Sequence, residues 1–172
     1  MIHFLNKQGR KKDFFPVFDL KSLNSKEYQM FNWSNLYIAH FKGEIKGIIG
    51  AWDQTSYKQT FIRALSTRIK TIKPFHNLIL SKIFRKPVIP NIGASIQSFF
   101  VTLIAIEQND PNIFAQLLDR VSVENAKNYQ CFYVGLSESD PLCSSMKYFS
   151  NIEYKGLLYL VDYKLNKSLT RI

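Results

Sequence analysis

From Ile96 to Glu107 the chain is an almost unbroken apolar, β-branched run, and a turn signal follows it at once. Such a run is the pattern of a strand buried on both faces, so structure has to cover each side of it. Asp110-Pro111 supplies an N-cap followed by proline at the first helical position, where a missing N–H leaves no bond unmade. Ile113, Phe114, Leu117, Leu118 and Val121 then form an apolar stripe at helical spacing down to about Asn128. Cys131 to Leu136 predicts a second strand. Asp140-Pro141 repeats the cap ahead of a short helix holding Met146 and Phe149, and Leu157 to Tyr163 predicts a third strand. This alternation predicts an α/β fold with parallel crossovers covered by helices.

Upstream, Leu36 to Trp52 holds two β-rich runs around Lys42-Gly43, a short turn in which glycine can take positive φ. Gly47 and Gly50 inside the second run predict a bulge or a place where another backbone comes close. Before the hairpin, Phe14 to Phe18 and the stretch from Asp19 to Ser34 give mixed signals, with Ser25 a candidate cap for a short helix. A chain of 172 residues is long enough for one well-buried core and too short for two large ones.

Between Asp53 and Glu107 no acidic side chain occurs, while Lys58, Arg63, Arg68, Lys70, Lys73, Lys82, Arg85 and Lys86 do, so this block holds +8 of the formal net charge of +10. Phe61, Leu65, Ile69 and Ile72 share a helical face, and Pro74 predicts a break at about Lys73. A second amphipathic segment follows, with Phe75, Leu78, Ile79 and Ile83 apolar and Lys82, Arg85 and Lys86 near its end, before Pro87 and Pro90 stop it. Three uses are open to the block. Its apolar face covers the sheet and its cations are solvated; or Lys58, Arg63 or Arg68 forms an anion site; or it is a surface for membrane or nucleic acid. The last requires Phe61, Leu65 and Ile69 to stay exposed, where a stripe of that size is more often core.

The longest nearly apolar run, Ser98 to Ile106, is far short of the roughly 20 residues of a spanning helix. Met1 to Lys12 places its apolar patch before Lys7, Arg10, Lys11 and Lys12, the reverse of a secretory signal, which predicts a cytoplasmic protein. Cys131 and Cys143 lack CxxC spacing and are expected to be buried thiols. His3, His40 and His76 are scattered singly, and no metal site is expected. No Ser/His/Asp arrangement, P-loop or Rossmann fingerprint is present.

The order of elements resembles the second half of the GNAT acyltransferase fold. Tyr37 to Ile49, with Lys42-Gly-Glu-Ile-Lys-Gly47 at its turn, is similar to that family's second and third strands. Val101 to Ile106 resembles its fourth strand, and Asp140 to Tyr154 the short helix and turn before its last strand. Trp52-Asp-Gln54, followed by Lys58-Gln59 and a basic helical insertion, is similar to a group of bacterial GNAT-like proteins. Some of these are longer chains, to whose C-terminal half this one would correspond. The resemblance implies a single GNAT-like domain over residues 1–172, with a variable N-terminal segment at 1–35, a basic two-helix insertion at 55–95, and a mixed sheet with helices on both faces.

It also implies an N-acyltransferase that moves an acetyl or other acyl group from acetyl-CoA or another acyl-CoA to a small-molecule or peptide amine, with a second GNAT domain or a homodimer as partner. Acyl transfer needs a base, donors for the carbonyl oxyanion and an acid for the thiolate. Tyr148 lies where the family takes its acid; Asp53 and Glu107 are the candidate bases, Asp53 also a candidate anchor for the substrate ammonium. Ile104, Ala105 and Ile106 would offer strand amides to acyl-CoA, and Gln108 and Asn109 occupy the place of the family's glycine-rich pyrophosphate turn. Trp52, Gln54, Tyr57 and Lys58 would line the acceptor pocket. The chain departs from the family at that turn, because Asn109-Asp-Pro111 contains no glycine, Pro111 lacks an N–H, and Asp110 puts a carboxylate where pyrophosphate would rest. The alternative is a non-catalytic GNAT-like module that binds an anionic partner or pairs with another GNAT domain.

Overall fold

Alternation of apolar residues along two long strands decides which side of the sheet each helix covers. The computed structural model describes residues 1–12, 15–23, 25–28, 31–80, 83 and 88–157. Strands β1 (Leu36–Phe41), β2 (Glu44–Asp53), β5 (Ser98–Ile106) and β6 (Cys131–Val134) form a four-stranded sheet in the order β1-β2-β5-β6. The first two pairings are antiparallel and β5 with β6 is parallel, so the sheet is mixed. A two-residue ladder, β3 (Thr60–Phe61) with β4 (Ser95–Ile96), stands apart.

The helices are α1 (Ile2–Gly9), the single turn α2 (Leu20–Leu23), α3 (Thr67–Phe75) and α4 (Pro111–Asn125). Helix α4 packs Phe114, Leu117, Leu118 and Val121 against Ile49, Ala51, Phe99, Val101, Ile104 and Ile106 on one face. On the other face Leu5 of α1, with Phe18 and Phe31, covers Ile48, Leu103 and Ala105. The structure is therefore an α/β fold with a mixed sheet and helices on both faces.

The hairpin turns at Lys42 and Gly43, with φ of 51° and 81°, the paired positive values of a type I′ turn. Asp110 caps α4 by accepting the Asn112 N–H at 2.8 Å, with Pro111 at the first helical position. The expected bulge is present, since the pairing shifts beside Gly47, opposite Ala39 and His40, and again between Ile48 and Gly50, and both glycines are closely approached by side chains. A Cβ on Gly47 would lie 2.8 Å from Leu117 Cδ1, and one on Gly50 2.8 Å from Phe31 Cζ.

Several expectations are corrected. Phe61 is in β3 and not on a helix, because the insertion closes on itself: the Ile62 N–H donates to Ala94 O and the Gly93 N–H to Ile62 O. Helix α3 starts at Thr67 behind the Ser66 cap and runs through Pro74 into a π turn at His76–Leu80. A proline in the last turn removes one backbone bond only, so the helix continues past it. The apolar face of the insertion does not cover the sheet, since Phe61, Ile69 and Ile72 are exposed. Cys131 opens β6 and is exposed, and Cys143 is partly so, its thiol donating to Ser137 O. The segment after Asp140 is a 3-10 helix, Pro141–Tyr148. Of the expected last strand, Leu157 is exposed outside any strand and the rest lies outside the described residues, as do Lys82, Arg85 and Lys86.

Because α4 reaches β2 over Gly47, Gly47→Val is expected to lose about 1–3 kcal/mol through overpacking, measured by urea unfolding.

Candidate functional site

Strand β5 carries one residue more than β2 can pair. Ile48 lies opposite Ala105 and Gly50 opposite Thr102, so Ile49 faces both Leu103 and Ile104, a β-bulge. Leu103 takes φ of 53° while only 5% exposed, a left-handed conformation that costs a branched side chain about 1–3 kcal/mol. The bulge coincides with a second event. Strand β6 follows β5 only from Ser98–Cys131 to Val101–Val134, and beyond that pairing β5 continues while the other chain leaves through Gly135.

The parting strands open a cleft of about 510 Å³. Phe100 to Ile104 form one wall, Gly135 to Leu136 with Ser137, Ser139, Asp140 and Pro141 the opposite one, and Trp52, Gln54, Tyr28, Phe15, Pro16, Lys11 and Lys12 the rest, with Asn109 at one end. The N-terminal wall is held by Asn6, whose side-chain amide donates to Phe18 O at 2.7 Å and accepts the Phe18 N–H at 2.8 Å. Across the cleft Lys12 Nζ meets Asp140 Oδ2 at 2.8 Å, both side chains about nine-tenths buried. The other oxygen of Asp140 accepts the Leu142 N–H, so this carboxylate is fully engaged.

Trp52 stacks on Tyr28 with ring centroids 5.9 Å apart and meets Phe31 edge-on, and its buried indole N–H has no partner among the described residues. Tyr57 is exposed and rests edge-on against Trp52. Lys58 Nζ sits 4.2 Å from the centroid of Phe100, whose ring also stacks on Tyr133. Gln54 lines the cleft.

The residues singled out for chemistry are dispersed. Asp53, at the end of β2, does not line the cleft. Its Oδ1 accepts from the N–H and hydroxyl of Thr55, and its Oδ2 from the Tyr129 hydroxyl at 3.0 Å. Burial works to raise its pKa, but these hydrogen bonds together outweigh burial and hold it below the usual 3.8. Burial, with the Asp53 carboxylate, pushes Tyr129 up to about 12. Glu107 lies outside the cleft, paired at 2.9 Å with Lys46, which also holds Glu44 at 2.8 Å. Tyr148 ends the 3-10 helix with its ring 61% exposed beside the Lys147 ammonium, again outside the cleft. Ile104 lines the cleft, whereas Ala105 and Ile106 are buried on opposite faces of the sheet. Arg63 and Arg68 are exposed and do not reach it.

Lys11, Lys12, Phe15, Tyr28, Ser137 and Asp140 were not singled out as site residues from the sequence. The run Arg10-Lys-Lys12 carried a signal, a cationic cluster at the end of a short helix, but nothing local ties it to a loop 128 residues later. Among the described residues no three His, Cys, Asp or Glu side chains gather as a metal site would need, and no helix is long and apolar enough to cross a membrane.

No protein-family model matches the chain, and no curated protein does. A solved structure of AAC(6')-Iy in complex with the bisubstrate analog CoA-S-monomethyl-acetylneamine is similar over 93% of this chain and 91% of that chain, with 12% identity and a TM-score of 0.49.

For coenzyme A, the group implied by the GNAT resemblance, the two ends of the site differ. The cleft between β5 and the loop after β6, lined by apolar side chains together with Gln54, Thr102, Ser137 and Ser139, has room for a pantetheine arm, and the bulge leaves the extra residue of β5 unpaired in the ladder. Gln108 and Asn109, with φ of 54° and 50°, give the following turn the left-handed backbone that glycine would otherwise supply. The diphosphate end does not fit, because Asp110 Oδ1 already occupies the Asn112 amide and Pro111 offers none.

The Asp53–Tyr129 pair gives two pH limits. Asp53 ionises in the fold below its unfolded value of 3.8, so its contribution is present above that pH and lost as pH falls through the folded value. Tyr129 holds its proton to about 12 against 10 for the unfolded chain, so its contribution is present below pH 10 and lost between 10 and 12. Urea titrations of Asp53→Asn and Tyr129→Phe should show the acid-side and alkaline-side losses flattened, respectively.

Proposed function

We propose that this chain is an N-acyltransferase of the GNAT-like type that transfers an acetyl or other acyl group from acyl-CoA to an amine. The observation that carries the reading is the parting of β5 from β6 beside the Leu103 bulge, which opens a cleft of about 510 Å³ along β5, large enough for a thioester arm. Coenzyme A, when bound, supplies the acyl thioester. The backbone of Ile104 to Ile106, with Gln108 and Asn109, lies along its path in this reading, and amide donors fixed before the reaction stabilise the carbonyl oxygen without reorganising. In this reading Trp52 and Gln54, which line the cleft, would face the acceptor, while Tyr57 and Lys58 touch the lining only through Trp52 and Phe100.

Asp53 suits the anchoring of an ammonium better than its deprotonation, since a carboxylate held below its usual pKa is a weak base at neutral pH. Glu107 is the remaining candidate base and Tyr148 the candidate acid, roles that rest on the resemblance. A second reading, a non-catalytic module, draws on one observation: the Asp110 carboxylate fills the anion position at the start of α4.

Thermal melting with acetyl-CoA separates the two readings, because a ligand at 100 times its Kd adds about 2.7 kcal/mol of stability. The enzyme reading expects a rise in Tm, and no rise at millimolar acetyl-CoA overturns it. Asp110→Asn keeps a capping side chain and removes the charge, so it should tighten acetyl-CoA binding by about 1 kcal/mol in calorimetry. Tyr148→Phe should lower kcat about 10²-fold or more with Tm unchanged if Tyr148 is the acid; an unchanged kcat removes it from the reaction.

A further inference from the structure

The insertion between β2 and β5 presents to solvent what a folded domain ordinarily hides. Phe61, Ile69, Ile72, Phe75, Leu78 and Ile83 are between 41% and 67% exposed. Among them stand the exposed cations Arg63, Arg68 and Lys70, in a stretch that contains no acidic residue from Gln54 to Ile106. Two other cations are already engaged: Lys73 on Pro90 O and Asn91 Oδ1 holds the insertion from within, and Lys58 on Phe100 ties its start to β5. Exposed apolar area of this extent, interleaved with one sign of charge, marks an interaction surface.

We propose that this insertion docks on an anionic lipid surface, its apolar side chains entering the headgroup region and its arginines and lysines meeting the lipid phosphates. Charge complementarity selects the occupant. A second copy would set one uncompensated cationic block against another. A nucleic acid would satisfy the cations and stack on Phe61 or Phe75, but it offers nothing to Ile69, Ile72 and Leu78. The apolar positions are carried by a strand, a helix and a π turn rather than by one stripe.

The test is co-sedimentation of the purified chain with phosphatidylglycerol-rich vesicles and with pure phosphatidylcholine vesicles. Binding to the former alone, weakening as salt rises, is expected. Ile72→Ser/Phe75→Ser/Leu78→Ser and Arg63→Gln/Arg68→Gln/Lys70→Gln should each lower partitioning about tenfold or more with Tm unchanged. Phe75→Trp should shift its emission to the blue on the anionic vesicles, and this readout decides the matter if either triple variant fails to fold. No vesicle binding, or no blue shift, overturns the proposal. Binding that the serine variant leaves intact and that duplex DNA competes away assigns the surface to nucleic acid instead. A concentration-dependent dimer abolished by the serine variant assigns it to a second copy.

Discussion

One extra residue in β5 sets the geometry of everything around it. In a regular strand Phe99, Val101, Leu103 and Ala105 would share a face. The bulge opposite Ile49 reverses the alternation after Val101, so that Ile104 and Ile106 join Phe99 and Val101 under α4, while Leu103 and Ala105 turn towards α1. Without that reversal the two halves of the strand would offer their large side chains to opposite helices. The left-handed backbone of Leu103 is offset by the burial that the reversal permits, since Ile106 and Phe114 become fully enclosed. The same irregularity falls where β6 leaves the ladder, so core and cleft share one cause.

Much of the sheet was legible because its signals are local. Lys42-Gly43 needs positive φ, Asp110-Pro111 caps a helix whose stripe is read directly, and the apolar run to Ile106 is a strand by composition. The place of the bulge was marked on β2, where Gly47 and Gly50 predict one, but not on β5 itself. Leu103 sits among apolar residues without a glycine or proline to mark it, and the parity change shows only when the covering helices are in place. The cleft was half legible for a similar reason: Trp52, Gln54, Ile104 and Asn109 lie on or beside predicted strands, whereas Lys11, Lys12 and Asp140 meet only in the fold. The insertion misled because period assigns a face to Phe61, Ile69 and Ile72 without saying what the face meets.

Charge is arranged in two distinct ways. Around the sheet four carboxylates are engaged at short range: Asp140 by Lys12, Glu107 by Lys46, Asp53 by Thr55 and Tyr129, Asp110 by the α4 amide. In the insertion no carboxylate exists to be engaged, and the field of its cations extends outward until salt screens it, over about 10 Å. The first arrangement fixes geometry and the second acts at a distance. Asp110 belongs to the first and sits where an anionic ligand would look for the second, which makes it the residue on which the competing functional readings turn.

The Lys12–Asp140 ion pair has a consequence in time as well as in space. It joins segments 128 residues apart and braces a cleft whose walls come from the first 28 residues and from Gly135 to Pro141. During synthesis the hairpin and the start of the sheet can form from neighbouring sequence, but no nascent chain lacking Asp140 can close that brace. Contacts of such separation are made late, after the entropy of the intervening loop has been met. The cleft thus cannot be completed until Asp140 has been made, and no shorter nascent chain carries a finished site.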